Sequence, residues 1–158
     1  MLILKTVAKI HVLSFIEDIT DTKLSSMEDK IHKGFYWEDF SKPKVVYPET
    51  TMGAYFAFDT DSMFIDKTCF MLIAKDASYL QATLSSKLFE FAYKRIFSSV
   101  ELGEHGYQYN KHALIKLPIC PKQENLSEYT DEYFYHLYKL TNLEISYIEY
   151  VIQSPQNQ

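Results

Sequence analysis

Little in this chain is suited to doing chemistry. Its 158 residues include two cysteines, four glycines, five prolines and one tryptophan. Cys69 and Cys120 stand far apart in apolar surroundings, and no export-type leader is visible, so they read as two buried reduced thiols rather than a disulfide. So few glycines and prolines exclude a fibrous or low-complexity chain. No apolar run approaches the roughly 18–20 residues that a membrane span needs. The opening Met1-Leu2-Ile3-Leu4-Lys5 lacks the basic and apolar regions of a secretory signal, and the expectation is a cytoplasmic protein with no membrane partner.

Catalytic motifs are missing as well. There is no [DN]-P-P-[YF] sequence to hold a target amine, no P-D…(D/E)-x-K nuclease pattern, and no P-loop, HExxH or CxxC. No glycine-rich cofactor loop follows a strand; Gly103 and Gly106 come after a helix. His11, His32, His105, His112 and His136 never pair at metal-ligand spacing. Asp59 and Asp61 lack the rest of a calcium loop and read as a turn. Ser85-Ser86 reads as helix interior, not a nucleophile elbow. We expect no catalytic residue, no metal and no cofactor in this chain.

What is present is a core. Apolar residues make up 47% and aromatics 16%, which excludes a disordered chain. The net charge of −5 is unevenly spread: residues 33–122 carry eleven Lys/Arg against ten Asp/Glu, residues 123–158 one against six. Nucleic-acid binding needs a local basic face rather than a basic protein, and a near-neutral centre predicts weak binding by the chain alone.

Residues 2–19 do not separate strand from helix, and residues 20–34 read as a loop with a short helix near Met27–His32. Lys44-Val45-Val46-Tyr47, stopped by Pro48, reads as a strand, as do Ala54–Phe58, Met63–Ile65 and residues 69–73. Asp76 is placed to cap a helix running to Phe97–Ser99, with Leu80, Leu84, Leu88 and Phe91 on one face. Asn110 is placed to cap a brief helix through Leu117. A final helix is expected over Glu128–Ile152, with Phe134, Tyr138, Thr141, Ile145, Ile148 and Ile152 as its apolar stripe. The fold class is α+β: a twisted mixed or antiparallel sheet, packed helices and a long C-terminal helix.

The order Cys69–Ile73, Tyr79–Phe91, Gly106-Tyr107-Gln108-Tyr109-Asn110-Lys111 and Leu114-Ile115-Lys116-Leu117-Pro118-Ile119 resembles the C-terminal specificity domain of TaqI-like (type IIG, Eco57I-like) adenine-specific DNA methyltransferases. There "LNSKLF", "GYRYKK" and "LEKLPIP" elements follow in this order. Phe35-Tyr36-Trp37-Glu38 and Lys42-Pro43-Lys44-Val45-Val46-Tyr47-Pro48-Glu49 resemble the family's "YYWE" and "KPKIVYPE". The resemblance is carried by residues 35–122. It implies a target-recognition domain over residues 1–122, with residues 123–158 packing on it or docking a partner.

It also implies a chain that recognises DNA sequence and leaves the chemistry to a methyltransferase domain or subunit, which would bind S-adenosylmethionine. The expected contacts are Lys42, Lys44, Ser98, Ser99, Tyr107, Gln108, Tyr109, Asn110 and Lys111. Gln and Asn match adenine, and Lys reaches guanine or phosphate; tyrosine hydroxyls contact phosphates. This chain has Gln108 and Asn110 where the family often has Arg and Lys. The competing readings are solvated strand-edge charges at Lys42 and Lys44, and tyrosines that close the core edge. Lys94 and Arg95 face the same choice between phosphate and their own helix's carbonyls. Two alternatives remain for the whole: a half-specificity subunit of a type I system dimerising through the C-terminal helix, and a protein-interaction domain that has lost DNA binding.

Overall fold

A computed structural model describes residues 37–65, 68–97 and 106–153. The expectations for residues 2–34 and for Phe35-Tyr36 lie outside the described residues.

After a short helix, α1 (Trp37–Phe40), the chain enters β1 (Lys44–Pro48). Its β-branched pair and Tyr47 favour extended backbone, and Pro48, with no N–H, ends it. β3 (Ala57–Asp59) and β4 (Cys69–Ile73) flank it antiparallel, in the order β3-β1-β4. Val45 sits opposite Phe58 on one side and Leu72 on the other. The strand expected over Ala54–Phe58 thus starts later, and Met63–Ile65 is not a strand: Asp59 holds that segment in a turn, accepting from the Asp61 and Met63 amides at 2.8 and 3.1 Å.

The helix expected from Asp76 to Phe97–Ser99 is two helices, α2 (Ala77–Ser85) and α3 (Lys87–Ile96). Ser86 leaves the helical region with ψ 149°, and its hydroxyl accepts from the Phe89 amide while donating to the Thr83 carbonyl. Asp131 accepts from the Lys87 amide at 2.8 Å. The start of α3 is therefore capped from two sides. Asp76 stands at the N-cap position of α2 without a capping hydrogen bond; its carboxylate pairs with Lys122 instead.

The final helix is also divided, into α5 (Asp131–Leu137) and α6 (Asn142–Gln153). Lys139 adopts φ 54°, Lys139 N donates to His136 O, and Leu140 N to Tyr135 O. This pair of bonds is the Schellman closure, with lysine where glycine is usual. Thr141 and Glu144 then form a capping box that opens α6.

α2 packs on β1 and β3, and α3 on α5 and α6. One core joins Val45 and Leu72 of the sheet to Leu80, Leu84, Leu88, Phe89, Phe134, Tyr138 and Ile148. Buried tyrosines need partners for their hydroxyls, and here they fasten the proline-flanked connector to the helices. Tyr138 donates to the Pro118 carbonyl and accepts from Cys120 N, and Tyr79 donates to the Cys120 carbonyl. Cys69 and Cys120 are free and half-buried rather than fully buried, and burial raises the Cys120 thiol above its ordinary value. Among the described residues, no helix is long and apolar enough to cross a membrane, and no His/Cys/Asp/Glu group is arranged to hold a metal.

A candidate nucleic-acid interface

β2 (Thr50–Thr51) and β5 (Tyr107–Gln108) form a second, two-stranded antiparallel ribbon. Thr50 lies opposite Gln108, and Thr51 opposite Tyr107. Tyr109 N donates to the Glu49 carbonyl at 2.8 Å and extends the ribbon. Gly106 enters it at φ 95°, where a Cβ would lie 2.4 Å from the Thr51 carbonyl oxygen, so glycine is required. Directly opposed residues share a face. Tyr107 is buried on one face, while exposed Thr50 and half-exposed Gln108 look out from the other.

Tyr93 of α3 fixes this ribbon. Its hydroxyl donates to the Gln108 carbonyl at 2.8 Å and accepts from the Asn110 amide at 3.3 Å. Its ring stacks on Tyr109, centroids 4.4 Å apart. Asn110 Oδ1 accepts from Ala113 N at 2.9 Å and caps α4 (Lys111–Leu114). Gln108 Nε2 donates to Glu49 Oε1 at 2.8 Å, and both side chains are half-exposed. Lys94 lies 4.5 Å over the Tyr107 ring and pairs with Glu90. Arg95 donates to the Tyr147 hydroxyl at 2.8 Å. Neither cation caps its own helix's carbonyls in these contacts.

The structure brings together Tyr107, Gln108, Tyr109, Asn110 and Lys111, with roles that differ. Tyr109 is buried, its hydroxyl has no hydrogen-bond partner among the described residues, and burial pushes its ionisation far upward. Tyr107 and Tyr109 thus anchor the ribbon to the core, and their burial leaves little surface for the phosphate contact expected of their hydroxyls. Asn110 has its side-chain oxygen committed to a cap. Lys111 is half-buried beside Leu72, Leu80 and Leu114, and none of the ion pairs among the described residues involves it. Ser98 and Ser99 lie outside the described residues.

Lys42 and Lys44 part company. Lys42 is 49% exposed, paired with Asp39 at 2.7 Å, and beside a hollow lined by Phe58, Ile73, Lys75 and Ser78. The Asp39 carboxylate raises its ionisation. Lys44 is 0% exposed: its ammonium donates to the Phe40 carbonyl at 2.7 Å and pairs with Asp59. That pairing holds the Asp59 carboxyl below its ordinary value. Neither reading from sequence survives at Lys44. It is out of a phosphate's reach, and it lies on the central strand rather than at an edge.

Glu49 and Thr50 were not singled out from sequence. Glu49 meets Gln108 across 59 positions, and only the β2–β5 pairing reveals that contact. Glu49 does stand in the quoted element Tyr47-Pro48-Glu49, the one local signal for it.

Residues 10–119 match the family model of the TaqI-like C-terminal specificity domain, and the chain belongs to that family. Membership assigns it a DNA-specificity module of restriction–modification enzymes, with DNA and a methyltransferase as partners. No curated protein matches the chain. α5 and α6 lie beyond the matched residues.

Proposed function

We propose that this chain reads a DNA sequence for an adenine-specific methyltransferase and performs no chemistry itself. The observation that carries this reading is the β2–β5 ribbon, held by Tyr93, which leaves Thr50 exposed and Gln108 and Glu49 half-exposed in a domain of a specificity family. The DNA major groove admits a two-stranded ribbon, and Gln and Glu are base-reading side chains. Lys42 supplies a phosphate contact that sets register. Methyl transfer, with S-adenosylmethionine and a flipped adenine, belongs to another domain or subunit of a type IIG-like system in the cytoplasm.

Selection from randomised duplexes at about 50 mM salt, where backbone contacts are strong, tests this. Enrichment of one motif supports it, alone or beside the methyltransferase. Salt-dependent binding with no motif in either setting rejects it, and no binding at all leaves the protein-interaction alternative.

A second reading, docking of a partner or of a second copy through the C-terminal helices, draws on one observation. Ile148 is 0% exposed inside the core, but Leu143 and Tyr150 on α6 are 84% and 70% exposed. The contact would therefore use Leu143 and Tyr150, not the Ile145–Ile148 stripe. Light scattering on the chain and on Leu143→Ser decides it: a dimer lost in the variant supports half-subunit pairing, and a monomer at high concentration removes it.

A further inference from the structure

We infer that Glu49 is a specificity-determining residue that fixes which end of the Gln108 amide a base meets. The inference rests on the recognition reading above. A glutamine amide has a donor end and an acceptor end of nearly equal shape, and rotation about its last bond exchanges them. A free glutamine therefore offers two opposite patterns to a base edge. An ionised carboxylate only accepts. Glu49 Oε1, 2.8 Å from Gln108 Nε2, is compatible with the nitrogen end alone. The flipped amide would set two acceptor oxygens against each other.

The remaining groups define a chemistry. With one N–H held by Glu49, Gln108 keeps its carbonyl oxygen and its second N–H, and no other side-chain hydrogen bond of Gln108 occurs among the described residues. A neighbouring acceptor and donor match the N6 amine and N7 of adenine in the major groove. The backbone beneath is tied at both residues: Gln108 O accepts from the Tyr93 hydroxyl, and Glu49 O accepts from Tyr109 N. The two side chains are already paired in the absence of DNA, and both are half-exposed and so reachable. Among the described residues no hydrogen bond involves the second carboxylate oxygen of Glu49, an acceptor that suits a cytosine amine at the adjacent step. The pair thus reads an adenine through Gln108, oriented by Glu49.

Glu49→Gln is nearly isosteric and keeps a hydrogen bond, but it permits either amide orientation. The test is selection on randomised duplexes with the full chain, unaltered and as Glu49→Gln and Gln108→Ala, beside thermal melts of all three. We expect one adenine position of the selected motif to lose preference by about 5- to 150-fold in both variants. The other positions, the salt slope and the Glu49→Gln melting midpoint stay unchanged. A purely structural Glu49 would instead weaken every position together and lower the midpoint. An unaltered motif in Glu49→Gln, or an equal loss at all positions, overturns the inference while leaving DNA recognition standing. No motif from the unaltered chain, alone or with its methyltransferase, overturns both.

Discussion

At the scale of single residues, two lysines two positions apart have opposite fates. Lys42 is half-exposed and its Asp39 pair is a surface ion pair, a class that contributes about 0–1 kcal/mol. Lys42→Ala should leave the melting midpoint nearly unchanged and lower the log–log salt slope of DNA binding by about one. Lys44→Ala should do the reverse. It strands the Asp59 carboxylate, buried and held by the turn amides, so the midpoint falls far more than for Lys42→Ala. Parallel melts and salt titrations check both. The sequence shows the same residue type twice in Lys42-Pro43-Lys44. The difference arises because Lys42 lies before β1, at the surface beside Asp39, whereas Lys44 is on the central strand and its partner Asp59 comes from β3.

At the scale of elements, both long helices expected from periodicity are broken where a cap competes with continuation. Ser86→Ala removes the hydroxyl bound by Phe89 N and should cost about 1 kcal/mol, read as a lower urea midpoint with unchanged slope. The break should survive the substitution, since Asp131 still holds the Lys87 amide. Lys139→Gly should act in the other direction. It relieves a left-handed backbone at φ 54° and should raise stability by about 0.5–1 kcal/mol in the same assay. Some of this is legible in sequence: Thr141-Asn142-Leu143-Glu144 is a capping box, and Asn110 does cap the helix at Lys111. The apolar stripe ran through both breaks without a change of phase, so periodicity alone did not expose them. The turn at Asp59–Ser62 and the strands Lys44–Pro48 and Cys69–Ile73 were readable because their determinants are local: β-branched runs, a stopping proline, and an aspartate that binds amides two and four residues on.

For the whole molecule, a polar cluster joins the core contacts in tying the helices beyond the family match to the recognition part. Glu149 accepts from Lys87 at 2.7 Å and from the Tyr135 hydroxyl at 2.8 Å, and Asp131 lies 3.7 Å from the same Lys87 ammonium. Lys87 holds the Glu149 carboxyl below its ordinary value of 4.5, and Glu149 raises Lys87. The carboxylate's contribution is therefore complete above that ordinary value and is lost as pH falls through the lowered one. The lysine's contribution is complete at neutral pH and is lost only in strong alkali. Urea midpoints should accordingly fall as the pH drops below the ordinary carboxylate value of 4.5. Glu149→Gln should reduce stability at pH 7 by about 0.5–1 kcal/mol and flatten that acid limb. An equally steep acid limb in the variant would place the titration elsewhere.

The sequence by itself determined the α+β class, the strands with local stop signals, the apolar faces of the helices and the family of the domain. Those depend on residue type, period and order, all of which a linear chain displays. Tertiary structure alone decided that Lys44 is buried, that α6 turns Leu143 and Tyr150 outward while Ile148 enters the core, and that Glu49 meets Gln108. Each of these is set by a neighbour brought in by folding, and neither a hydrogen bond across 59 positions nor a buried counter-charge has a local signature.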